Sequence, residues 1–268
     1  MNAFANHFAY EFKTGLRNTS MLFMSYLFPL GVYVLLTLVM SAVNPLFKAT
    51  MIPAMCVFAM MGGGLLGMGG PIVEARDAGI YRSFKINGVP AASIIAIPVL
   101  ASTVHVLVVS LIITLSAAAI FGGALPVAPL AFGALLVLGA FAMCSLGALI
   151  GVVATNSRAV LGLSQLIFLP SMVLGGLMMP LAMLPPGMQK VAALLPAAHI
   201  MQAIQGLAYG LPTVFDPVLS ALVTAAAGLL AFLFAIYLFN WDKQNQVRRG
   251  HPALAALALV PYILALAL

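Results

Sequence analysis

From residue 92 to residue 120 the chain reads ASIIAIPVLASTVHVLVVSLIITLSAAAI, without one Asp, Glu, Lys or Arg. A helix rising 1.5 Å per residue needs about 20 apolar residues to cross a ~30 Å hydrocarbon core, and this run exceeds that. An open strand in lipid would leave its backbone groups unpaired, and the alternating pattern of a membrane barrel is absent. Similar runs lie at 20–43, 52–72, 127–154, 159–182 and 217–240. The sequence therefore predicts an all-α integral membrane protein, a six-transmembrane-helix bundle.

Composition agrees. The 268 residues are 64% hydrophobic and 6% charged, where a soluble domain carries roughly 25% charged residues. So few charges could not cover a water-facing surface. The net charge of +6 resides in short loops. With the N-terminus inside, the inner segments hold Lys13, Arg17, Arg76, Arg82, Lys85, Arg158, Lys243, Arg248 and Arg249, and the outer ones hold Lys48 and Lys190. That positive-inside bias predicts a multi-pass membrane protein with a cytoplasmic N-terminus. No basic patch interleaved with aromatics points to nucleic acid. Cys56 and Cys144 lie in apolar runs and read as buried thiols rather than a disulfide framework. The first apolar run lacks a cleavage site before a polar domain and reads as a retained helix.

Residues 1–19 place Phe4, Phe8, Phe12 and Leu16 on one stripe and Asn6, Lys13, Thr14 and Arg17 on the other, the pattern of an interfacial amphipathic helix. Residues 20–240 form the six-span domain, and 241–268 a basic segment with an apolar tail. The apolar part, 253–268, falls short of a helical crossing. Docking on the bundle, lying in the interface and a thin seventh crossing all stay open. Gly63 and Gly67, like Gly147 and Gly151, have the spacing that lets helix backbones approach closely.

No catalytic or metal-binding constellation is present. His7, His105, His199 and His251 are scattered, and Glu11, Glu74, Asp77, Asp216 and Asp242 all fall in loops or flanks. His105 alone is ionisable at mid-span, and it reads as a bridge between helices rather than the relay of an ion-coupled carrier. No phosphate-binding G-x-x-x-x-G-K-[ST] loop occurs, so ATP-driven work would need a nucleotide site on another polypeptide.

Two stretches stand out. The inner loop 74–90 has acids early (Glu74, Asp77) and bases late (Arg82, Lys85), as a short helix favours. Ile80, Tyr81 and Phe84 lie among them and point to a docking partner. On the outer side, residues 183–212 mix Pro185, Pro186, Pro196 and Pro212 with Gln189, Lys190, His199, Gln202 and Gln205. They follow a fifth helix expected to end near Pro180, and suit short re-entrant helices sheltered by protein.

Together these stretches resemble the ATP-binding-cassette type-2 exporter permeases, the transmembrane subunits of type V exporters. Glu74, Arg76, Asp77, Gly79 and Pro90 match that family's E-x-R-E-x-G…P loop, with Asp77 where Glu is usual. Phe168, Pro170, Gly175, Gly176, Pro180, Pro185 and Pro196 match its second signature, lacking the small polar residue before the glycine. The resemblance covers about residues 1–245. It implies a permease of the bacterial cytoplasmic (inner) membrane that is not itself an enzyme and binds no cofactor, working as a homodimer or heterodimer with two cytoplasmic ATPase subunits that hold ATP and Mg. Glu74, Arg76, Asp77, Gly79, Tyr81, Arg82 and Phe84 would then dock the ATPase as a coupling helix. Spans one and five would line the path, with Tyr26, Tyr33, Thr37, Ser164, Gln165, Phe168 and Met172 facing it or hydrogen-bonding between helices. Met172, Met178, Met179 and Met183 suit an amphipathic drug, antibiotic or lipid-like cargo, as in multidrug efflux. A polysaccharide or other polar polymer is the alternative cargo. A self-sufficient secondary carrier and a non-transporting scaffold subunit are alternative classes.

Overall fold

The computed structural model describes residues 3–43, 47–241 and 250–267. Lys243, Arg248, Arg249 and Asp242 lie outside them, as does the Phe4 side chain. Among the described residues there is no strand. Helix α1 (Ala3–Gly15) precedes the first span, which begins as α2 (Thr19–Leu22), loosens into a π-helical turn at Phe23–Leu27 and continues as α3 (Phe28–Val43). The second span is α4 (Phe47–Met60), a π-helical segment Met61–Leu66, and α5 (Gly69–Asp77). The short α6 (Ile80–Ile86) leads into α7 (Ala91–Phe121), α8 (Pro129–Val153) and α9 (Ser157–Leu174). Then come α10 (Pro186–Ala192), α11 (Pro196–Ala203) with a π-helical end at Ile204–Ala208, and α12 (Pro217–Leu238). The tail forms a 3-10 helix, Pro252–Leu259, and α13 (Val260–Leu264).

Among the described residues six helices are long and apolar enough to cross a membrane, seven if the bent pair formed by α10 and α11 is one span. This is an integral membrane bundle with a short broken helix pair, bent by 97°, after the fifth span. Local signals set the ends. Pro129, Pro186, Pro196 and Pro217 occupy first-turn positions, where a missing N–H costs nothing. The Asn156 and Asp216 side chains accept from the amides of Ala159 and Leu219, capping α9 and α12.

Three span boundaries differ from the sequence reading by five residues or more, one of them the start of the second helix, at Phe47 rather than 52. The second helix runs through Asp77 rather than stopping at 72, because its last turns carry their charges beyond the apolar core. The fifth ends at Leu174 rather than near Pro180, where Gly175 and Gly176 (φ 81°) leave the helix although the following residues stay apolar.

The bundle is built around α4 and α8. α8 packs against α12, α7, α5 and α9, and α4 is sheathed by α3 and α7. Met51, Ile52, Met55, Phe58, Met60 and Leu65 are fully buried. In the most apolar window of spans two and four, 89% and 78% of residues are buried, against 22% for spans one and five. The last two flank the same segment, Met61–Leu66, and keep an aliphatic face open.

The tail runs antiparallel to α12. Gly250 lies against Tyr237 and Leu238 at one end, and Tyr262 packs with Val223 and Ala227 toward the other, its ring 5.5 Å from that of His199. The 3-10 stretch rises about 2.0 Å per residue. Sixteen residues therefore reach further than the α-helical estimate allowed.

Candidate functional site

One end of the bundle gathers α1, the α5–α6 turn and the α8–α9 turn. Gly79, at φ 73°, makes the left-handed step that separates α5 from α6, and a side chain there would be strained. The seven loop residues singled out from sequence divide into two groups. Arg76 is buried; its Nη1 donates to Val152 O at 3.0 Å and its Nη2 to Ala154 O at 2.6 Å. A guanidinium on the last carbonyls of α8 is a C-terminal cap, favoured by the helix dipole. Tyr81 is buried edge-on against Phe239 at 5.1 Å, and Phe84 packs on His7 at 5.9 Å. Burial pushes the Tyr81 hydroxyl above its ordinary range, helped by the Glu11 charge and opposed by Arg76. Glu74, Asp77 and Arg82 are exposed.

The outer face of α6 instead presents Ile80, Ser83 and Ile86, with Ile86 81% exposed. Sequence reasoning passed over Ile86. The three-residue step from Ile80 through Ser83, set against Tyr81 and Phe84, was the available signal.

Between α1 and this loop lies a cleft of about 380 Å³. Ile72, Ile94 and Pro98 form its apolar floor, and Tyr10, Tyr81 and Phe84 its aromatic wall. His7, Glu11 and Glu74 edge it. Burial raises the Glu11 carboxyl above its ordinary range, opposed by nearby His7.

The seven residues named for the path sit mostly inside the bundle. Tyr26 shares a 2.7 Å hydrogen bond with His105 Nδ1, and Tyr33, 2% exposed, one of 3.0 Å with Ser116. Thr37 donates to Met51 Sδ at 3.3 Å, and Ser164 to Leu65 O at 3.1 Å. Phe168 is buried against Phe58 at 5.9 Å, and Met172 is half-buried. Gln165 is half-buried too, and its Oε1 has no partner among the described residues.

The glycines meet across α8. A methyl at Gly147 would strike Gly64 O, and one at Gly151 would come within 2.7 Å of Gly69 O. Gly63 faces Val106 and Ser25, while Gly67 has only its own helix's backbone at close range. Both partners of the α8 glycines, Gly64 and Gly69, fall outside the paired spacing read from the sequence. Among the described residues no group of three or more His, Cys, Asp or Glu is placed to hold a metal.

These features define a multi-pass helical membrane protein with a capped, partly apolar loop helix at one end. The chain belongs to the ABC-2 type transporter family, whose model matches residues 3–209. Such permeases in general work with an ATPase partner. It is 26% identical over 203 residues to the protein named "Putative transport permease YvfS" of Bacillus subtilis (strain 168), covering 74% of this chain and 82% of that one. No solved structure matches it.

Proposed function

We propose that this chain is the permease subunit of an ATP-driven exporter in a bacterial inner membrane, with α1 and the 74–90 loop in the cytoplasm. The observation that carries this reading is the α6 face. Ile80 and Ile86 stand exposed beside Arg82 and Lys85, while Arg76 and Tyr81 fix the base of the loop. Exposed isoleucines on a rigidly held charged helix suit a groove in a partner ATPase, which would bind ATP and Mg. Two protomers would meet through the aliphatic faces of α3 and α9, each with its own ATPase subunit.

The cargo in this reading is an amphipathic small molecule such as a drug, antibiotic or lipid-like compound. The open face of α9 offers Leu163, Leu166, Leu169 and Val173, without a ring on which a sugar could stack. Gln165, half-buried on that helix with no partner for its Oε1 among the described residues, is the polar side chain we assign to a cargo or a second protomer.

Co-expression tests it. The wild-type chain should co-purify with a Walker-motif protein of the size of a single domain, and Ile86→Asp should abolish capture without lowering the melting temperature. Gln165→Leu should change which compounds stimulate hydrolysis while leaving basal hydrolysis intact. Transport sustained by a proton or sodium gradient, with no ATPase present, would overturn the reading.

A further inference from the structure

The cleft between α1 and the loop has a charge opposite to that of the chain. Eleven Lys and Arg face five Asp and Glu in the whole sequence, yet two of those five acids, Glu11 and Glu74, edge this one cleft beside His7, and among the described residues no Lys or Arg lines it. Low-dielectric walls focus the field of such unbalanced charges. Tyr10, Tyr81 and Phe84 also line it, and aromatic rings attract cations. The floor of Ile72, Ile94 and Pro98 is apolar, and 380 Å³ falls within the roughly 300–1,000 Å³ of small-molecule pockets.

We infer that this cleft is a binding site for an amphipathic organic cation. The positive charge sits between Glu11 and Glu74, and the apolar body lies on the floor against the rings. An amphipathic anion keeps the apolar contact but is repelled by the two carboxylates, and an uncharged polar chain loses both contacts. The occupant touches Ile80, Tyr81 and Phe84 on α6, whose outward face carries Ile86. Binding rests on the cleft alone; that the cation is cargo rests on the transporter reading.

The test is saturable binding of tetraphenylphosphonium, and of the size-matched anion tetraphenylborate, to the purified full chain in lipid nanodiscs. The cation should bind about tenfold more tightly than the anion, and Glu11→Gln with Glu74→Gln should remove about that factor. Ala78→Lys, which adds a base at the exposed rim and removes nothing, should weaken the cation to a similar degree. Asp216→Asn, at the other end of the bundle, should leave it unchanged. Equal binding of the two ions, or cation binding indifferent to both the Gln pair and Ala78→Lys, overturns the site. Cation binding that never alters ATP hydrolysis by the assembled transporter removes only the cargo role.

Discussion

The imidazole of His105, at the middle of α7, lies flat on the ring of Phe12 in α1, with centroids 4.2 Å apart and planes 2° from parallel. Tyr26 holds the same imidazole through its Nδ1. α1 is thus docked on protein through one edge of its phenylalanine stripe, while Leu16 on that stripe stays exposed. A double-mutant cycle of Phe12→Ala and His105→Ala should give a coupling of about 0.5–1.5 kcal/mol, the range of aromatic pairs. Strictly additive losses in denaturant stability would contradict the stack.

Arg76 should behave as a structural residue. Removing it leaves Val152 O and Ala154 O without their charged donor, a loss of about 1.5–3 kcal/mol per bond. Arg76→Ala should lower stability and folded yield, and Arg76→Lys should recover part of it. A variant with full stability but no ATPase capture would return Arg76 to the docking surface.

Gly147 and Gly162 make a matched pair. Gly147→Ala forces α8 away from the Gly64 backbone, whereas an added methyl at Gly162 meets nothing within 4 Å. Overpacking typically costs about 1–3 kcal/mol. Gly147→Ala should lose that much stability, and Gly162→Ala should lose none; the comparison is made by thermal denaturation in one detergent.

Glu11 gives a pH dependence of fixed sign. Its carboxyl is raised above 4.5 in the fold, so the folded state binds more protons than the unfolded one. Its contribution is fully present below pH 4.5 and is lost as pH rises through the raised value. Glu11→Gln removes the ionisation penalty, so the variant should melt on the order of 2 °C above wild type at neutral pH. The gap should close toward pH 4.5. A gap that widens on acidification refutes the assignment.

The tail carries a topological prediction. Tyr262 reaches His199, whereas Gly250 stays beside Leu238. Single cysteines at Leu264 and at Arg82, with Cys56 and Cys144 replaced, should react with an impermeant thiol reagent from opposite sides of the membrane. Labelling of both from one side would place the tail elsewhere.

The spans were legible because lipid leaves the backbone one economical choice, and apolar length alone reveals it. The end of α9 was not, since residues 175–184 remain apolar after the helix has stopped. Tyr26, Tyr33 and Thr37 are seven and four residues apart, a spacing that puts them on one helical stripe, but periodicity cannot say whether a stripe faces a partner or the core. In the structure that stripe turns inward, with Tyr33 reaching Ser116 and Thr37 reaching Met51. Arg76 read as a loop charge because its acceptors lie 76 and 78 positions later in the chain. No local pattern announces that α8 will end beside it.

The π-helical segment Met61–Leu66 holds one residue more than an unbroken α-helix would use over the same rise. It acts as a phase shifter in the second span. The half before it is oriented by the core around Phe58, and the half after it is turned independently to aim Glu74 through Ile86. Deleting a single glycine there would rotate everything downstream by about 100° about the helix axis. The direction in which Ile80 and Ile86 look outward is therefore set by a residue count made twenty positions earlier, deep in the apolar core, where no charge and no partner is near.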